Sequence, residues 1–317
     1  MKVGIIGYGN QAKKIINFLN KIKKIKKIIV FKKSKFKHEI DKEIIKTNNL
    51  SNLNDLDCIF ICTPNSKHFF YIKYFLFKNK FIFCEKPGPT NIKEINYLEK
   101  LSIDKKKRIY FNYNYIFSEY FKNISKELNN KKNGKIINYS FYASHGLFFK
   151  KNVKQKKNRD IFKNILGNLG IHYINFLLRQ FKSVNIVNQH DLNISGKAID
   201  TSYAKLNSDK IFGNIFFSYA SVLYKFAILH FTNSIVIFDN FKIKKFSPRD
   251  TFDKNGLFKT PKKKIIKDIY QNDIASSLKL SLKFFLDRVE KKQNFSIKEY
   301  NIAINSSKIL INRSKYK

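Results

Sequence analysis

The sequence predicts an α/β fold: a doubly wound parallel sheet, followed by an α+β domain with a large, mostly antiparallel open sheet. Three observations carry this expectation. Short apolar runs alternate with helical stretches through the first third of the chain, a glycine-rich turn joins the first strand to the first helix, and strand-like runs dominate after residue 136.

The elements follow in order. Residues 2–6 form an apolar strand that runs into Gly7-Tyr8-Gly9-Asn10-Gln11-Ala12, and Ile15, Ile16, Phe18, Leu19 and Ile22 then recur at helical spacing. Apolar runs at 28–31 and 58–62 read as buried parallel strands, the second stopping at Thr63-Pro64-Asn65. A helix over 66–78, a strand over 81–84, the turn Glu85-Lys86-Pro87-Gly88-Pro89, a helix over 92–101 and a strand over 108–112 complete the alternation. The boundary is expected at 116/117, giving a nucleotide-binding domain over 1–116 and an α+β substrate and oligomerisation domain over 117–317. In the second domain helices are expected over 117–129, 160–181, 273–291 and 297–313. Strands are expected over 136–144, 186–187, 202–206, 211–223, 226–231 and 235–238. The polar, lysine-dense stretch 150–159 reads as a mobile loop.

Composition narrows the function. The 317 residues carry 63 Lys+Arg against 23 Asp+Glu, a formal charge of +40, yet 43% are hydrophobic and 15% aromatic, which excludes a disordered polyelectrolyte. Only six of the basic residues are arginine, leaving 57 lysines spread over nearly every segment. A nucleic-acid reader would concentrate its charge and lean on arginine forks, so the charge reads as the drift of an A/T-rich genome and no nucleic-acid partner is expected. A polyanion-binding protein is the rival that the charge alone would support. Three cysteines build no disulfide framework; Cys58 and Cys62 read as small buried apolar residues, and no metal site is expected. No apolar leader precedes the first glycines, and the longest uncharged stretch, 211–224, is too short for a span, so a cytoplasmic protein without membrane contact is expected.

The pattern Gly7-x-Gly9-x-x-Ala12 has a mechanical reason at each position. Gly7 permits the tight turn, Gly9 lets backbone approach a pyrophosphate, and Ala12 allows helix to pack on strand, with the anion at the helix N-terminus beside Asn10 and Gln11. Its position between a strand and a helix makes it a Rossmann dinucleotide fingerprint. At the end of the second strand, where an acid would bond a ribose 2′-hydroxyl, stand Lys32, Lys33 and Ser34. The missing acid and the lysines favour NADP over NAD.

Taken with that fingerprint, three further motifs carry a resemblance. Thr63-Pro64-Asn65-x-x-His68, Cys84-Glu85-Lys86-Pro87 and Gly167-Asn168-Leu169-Gly170-Ile171-His172-Tyr173-Ile174-Asn175 are similar, in order and spacing, to the glucose-fructose oxidoreductase, inositol dehydrogenase and MocA (Gfo/Idh/MocA) family over essentially the whole chain. The resemblance implies an NAD(P)-dependent oxidoreductase acting on a sugar, cyclitol or nucleotide-linked sugar. Members that use the cofactor transiently for elimination or glycoside cleavage, and a non-catalytic NAD(P)-binding protein, are the alternatives. It further implies that Lys86 polarises the substrate oxygen, that His172 exchanges the hydroxyl proton, and that Asn168, four residues before it on one helix face, orients the substrate. Thr63, Pro64, Asn65, His68 and Glu85 join Gly7, Gly9, Asn10, Gln11, Lys32, Lys33 and Lys86 as expected cofactor-pocket residues; Glu85 is expected to stay ionised beside Lys86. His68 has a second reading as the cap of the helix that follows Pro64. The chain departs from the commoner pattern at Asn168 and Asn175, where aspartate is usual, and at Ile116, where arginine often stands. The open face of the second sheet is expected to make a homo-oligomer.

Overall fold

In the computed structural model, all residues are described except 34–43, 147–163, 197–198, 241, 248–251, 269–272 and 313–317. The expected loop over 150–159, Ser34 and the first residues of the helix expected over 160–181 lie outside the described residues. The chain divides into two compact units, residues 1–114 with 277–311, and residues 115–276 with 312–317.

The first unit holds a six-stranded parallel sheet. Its strands are β1 (Lys2–Ile6), β2 (Lys27–Phe31), β3 (Ile44–Thr47), β4 (Cys58–Ile61), β5 (Phe81–Glu85) and β6 (Ile109–Asn112), in the order β3-β2-β1-β4-β5-β6. Strand order reverses between β1 and β4, the switch point of a doubly wound sheet, and ligands of such sheets bind outside the strands' carboxyl ends at that point. Helices α1 (Asn10–Leu19), α2 (His68–Leu76), α3 (Ile92–Glu99) and the single turn α4 (Ile103–Lys106) connect the strands. Strand β3 was not expected; Ile44-Ile45-Lys46-Thr47 is too short to show a period, and it forms as the edge partner of β2.

The second unit holds α5 (Glu119–Leu128), α6 (Ile171–Gln180) and an eight-stranded sheet in the order β14-β13-β12-β11-β7-β10-β9-β8. Its strands are β7 (Ile136–Ser144), β8 (Asn185–Leu192), β9 (Thr201–Ser208), β10 (Ile211–Ser218), β11 (Tyr224–Phe231), β12 (Ile235–Asp239), β13 (Lys242–Phe246) and β14 (Lys263–Asp268). Every pairing is antiparallel except β7 with β10. Alternation along each strand separates two faces. On one, Phe141 and Phe217 meet Tyr173 of α6, which also packs on Phe121 of α5. On the other, Tyr203, Phe216, Tyr142 and Phe226 stand in register on four adjacent strands, all half-buried or exposed. The neighbouring Phe216 and Phe217 are thus divided between the faces, with Phe217 buried and Phe216 on the outer one.

The last two helices, α7 (Asp273–Glu290) and α8 (Ile297–Asn312), depart from the expected boundary. From Ser277 onward they belong to the first unit, not to the 117–317 domain. Leu282, Phe285, Leu286 and Val289 of α7, with Phe295 in the linker, sit in one core with Val3, Ile5, Phe60 and Phe83. The Phe285 ring lies 5.1 Å from Phe60 and 5.3 Å from Phe83. An amphipathic stripe states that a helix needs an apolar partner, not which sheet supplies it. Among the described residues no helix is long and apolar enough to cross a membrane, and no cluster of His, Cys, Asp or Glu could hold a metal ion.

Candidate functional site

Each unit carries part of the expected constellation. In the first, four turns at the carboxyl ends of β1, β4, β5 and β6 are tied together. Gly7 has φ +97°, a left-handed conformation that side chains rarely adopt, and a Cβ there would lie 2.7 Å from the Cys62 carbonyl oxygen. Its amide donates to Phe31 O at 2.9 Å, which sets the glycine turn beside the end of β2 and hence beside Lys32 and Lys33. Lys32 is half-buried and Lys33 exposed.

Glu85 closes β5. Its Oε1 accepts from Gln11 Nε2 of α1 at 3.0 Å and from Asn112 Nδ2 of β6 at 2.9 Å; Asn112 Oδ1 in turn accepts from Ser281 Oγ of α7 at 2.7 Å. Desolvation raises the Glu85 carboxyl, and this outweighs the lowering by Asn112, Gln11 and Lys86. Gln11 and Glu85 were both expected as cofactor contacts, and the structure bonds them to each other. Lys86 is half-buried, and loss of hydration lowers its ammonium to about 8 in spite of the attraction of Glu85.

His68 is the first residue of α2 and does not cap it, since no side-chain hydrogen bond caps that helix. It is fully buried, Nδ1 lies 2.6 Å from Pro87 O and Nε2 2.9 Å from Thr63 O, and burial lowers the ring's pKa. The side chain joins the turn after β4 to the turn after β5. Pro64 is exposed and Asn65 half-buried at the start of a single 3₁₀ turn over 65–67.

These turns fit a dinucleotide. Helix α1 begins at Asn10 with its first amides at the glycine turn, a Cβ on Gly9 would meet no protein atom within 4 Å, and Thr63 Oγ1 is buried with no hydrogen-bond partner in the protein. Anion-binding amides, open space against backbone and an orphaned hydroxyl are what a nucleotide's phosphates and sugar hydroxyls would engage.

In the second unit, Asn168 stands in a π-helical turn over Leu166–Gly170 that runs directly into α6, which carries His172. Asn168 is exposed and its Nδ2 donates to Tyr219 Oη at 2.6 Å; His172 is 5% exposed and stacks on Tyr115, ring centroids 3.9 Å apart and planes within 10°. His145, at the end of β7, packs its ring 4.3 Å from Tyr219. Burial raises the phenols of Tyr115, to about 12, and Tyr219, and lowers the His145 imidazole. Asn175, the other departure, is buried and accepts from Arg179 Nε at 3.2 Å.

Sequence reasoning missed Tyr115, Tyr219 and His145. Tyr115 stands within the Asn114-Tyr115-Ile116-Phe117 stretch noted only for its missing arginine, while Tyr219 and His145 follow strand ends, where residues of a sheet protein are placed for binding.

The fold and its switch-point turns define a dinucleotide-binding unit joined to an α+β unit. Residues 1–113 match the family model GFO_IDH_MocA, described as an oxidoreductase family with an NAD-binding Rossmann fold. No curated protein sequence matches the chain. Solved structures share its fold over nearly its whole length. Myo-inositol 2-dehydrogenase from Lactobacillus plantarum is 17% identical with a TM-score of 0.76, covering 100% of this chain and 97% of that one. Scyllo-inositol dehydrogenase from Lactobacillus casei is 15% identical with a TM-score of 0.73, covering 100% and 97%. An oxidoreductase from Agrobacterium radiobacter, in complex with NAD+, L-tartaric acid and magnesium, is 13% identical with a TM-score of 0.74, covering 98% and 94%.

Proposed function

We propose that this protein is an NAD(P)-dependent dehydrogenase or reductase acting on a CH–OH group of a sugar, cyclitol or nucleotide-linked sugar. The observation that carries the reading is Lys86, an amine lowered to about 8 at the carboxyl end of β5, within the Glu85-Lys86-Pro87 turn of an NAD-binding family domain. Gly7, Gly9, Asn10, Thr63, Pro64 and Asn65 would hold the dinucleotide, whose nicotinamide supplies the hydride acceptor or donor. Lys86 donates a charge-assisted hydrogen bond to the substrate oxygen, which lowers the cost of developing negative charge there. His172 takes the hydroxyl proton on oxidation and returns it on reduction, its ring plane held by Tyr115. Asn168, with its amide nitrogen on Tyr219, orients the substrate.

Lys32 and Lys33 favour NADPH, because the turn beside Gly7 brings two cations where a 2′-phosphate would lie. The outer sheet face with its aromatic row supports a homo-oligomer. Calorimetric titration with NADPH and NADH at moderate salt, which screens attraction to the +40 charge, tests the cofactor reading. One saturable site is expected, with Lys32→Ala weakening NADPH and leaving NADH unchanged. Reduction of NAD(P) by a panel of polyols then tests the reaction; failure to bind either nucleotide defeats the proposal.

A further inference from the structure

We infer that His68 is a positioning residue for Lys86, a clamp that fixes the carboxyl-end turn of β5 against that of β4. The inference rests on the role proposed for Lys86.

The residues on either side of Lys86 are both held from other elements. Before it, the Glu85 carboxylate is gripped by Gln11 of α1 and Asn112 of β6. After it, the Pro87 carbonyl lies 2.6 Å from His68 Nδ1. One residue further, Gly88 lies so flat on Phe111 of β6 that an added Cβ would come within 2.1 Å of that ring. The other ring nitrogen of His68 reaches Thr63 O at 2.9 Å, and Cys62 beside it closes against Gly7. Glycine turn, β4 turn and β5 turn therefore form one chain of contacts, with His68 as the link that sets the third against the second.

The chemistry suits a clamp better than a filler. Both partners are carbonyls, which accept only. An imidazole donates to each when both nitrogens carry protons and to one at a time when neutral, and no apolar side chain of the same shape does either. Without His68, the Pro87 and Thr63 carbonyls lose the ring N–H that one or the other accepts, and that loss favours a turn that opens toward water. An opened turn would carry Lys86 out with it and restore the hydration that now lowers its ammonium.

Competitive acetylation of the folded protein over about pH 6 to 11, followed by peptide quantitation, reads the midpoint of the Lys86 amine apart from the other lysines. The wild-type midpoint is expected at about 8. His68→Phe keeps a ring and removes both ring nitrogens; it should raise the midpoint by about a unit or more and lower Lys86 labelling at pH 8 about fivefold. His68→Gln, whose one amide can serve one carbonyl, should lie between the two. A histidine that only packs the core would lower thermal stability and leave the midpoint in place. An unchanged midpoint in whichever of the two variants folds overturns the clamp. The nucleotide titration of the wild type is independent of it: no binding there defeats the proposed function and leaves the labelling result standing.

Discussion

Replacing Lys86 by Met should stabilise the protein at neutral pH while it abolishes useful turnover. An ordinary lysine ammonium titrates at 10.5, and Lys86 is lowered to about 8 by its surroundings. The folded state thus binds a proton more weakly than the unfolded state, so stability rises with pH between about 8 and 10.5 and the cost of holding the charge is full below that window. A gap of about 2.5 units at about 1.4 kcal/mol each sets that cost at about 3 kcal/mol, an upper bound because the side chain keeps partial contact with water. Methionine keeps an unbranched stem and loses the charge, so the variant is expected to gain up to that amount at pH 7 and nothing above about pH 11. Thermal melts of both proteins at neutral and high pH provide the assay. Turnover should fall a hundredfold or more, while nucleotide affinity changes little. A variant that melts below the wild type at pH 7, or a difference that does not shrink with rising pH, would refute the argument that the site is held at the expense of the fold.

Other substitutions bear on separate parts of the site. His172→Asn should cut turnover a hundredfold or more with nucleotide affinity unchanged, measured by steady-state kinetics and calorimetry. Tyr219→Phe removes the hydroxyl that accepts from Asn168; a loss of about 1 kcal/mol should raise substrate KM about fivefold and leave nucleotide binding untouched. Gly7→Ala places a methyl group against the Cys62 carbonyl at a left-handed φ, and should lower the melting temperature by several degrees and abolish nucleotide binding.

The first unit was legible where chemistry and chain order coincide. A strand, a turn of small residues and a helix lie next to each other in sequence, so Gly7, Gly9 and Ala12 announce their turn locally, and the strand-terminating Thr63-Pro64-Asn65 and Glu85-Lys86-Pro87 do the same. Partnerships across the sheet leave no local mark. Nothing near Glu85 names Gln11 or Asn112, 74 and 27 residues away. His68 reads from the sequence either as a pocket residue or as the cap of the helix after Pro64, whereas its two carbonyl partners are set by the folding of two turns onto one another. In the second unit, β13 (Lys-Ile-Lys-Lys-Phe) and β14 were missed because lysine-rich runs on the outer strands resemble loops, and a charged edge strand satisfies pairing and solubility together. The π-helical turn at Asn168 was likewise invisible, since four-residue spacing reads as an α-helical face whichever helix forms.

The first unit draws its core from both ends of the chain, and this bears on how the protein is made. During synthesis β1 to β6 emerge early, but Leu282, Phe285, Leu286 and Val289, which cover Phe60 and Phe83, follow after more than 160 further residues. At about 5 to 20 residues per second, the nascent sheet stays uncovered for roughly ten to thirty seconds. A ribosome that stops anywhere in the second unit therefore releases a chain whose nucleotide-binding sheet has an exposed apolar face. The Glu85–Asn112–Ser281 bonds complete only when α7 arrives, so the grip on the residue before Lys86 is among the last to form.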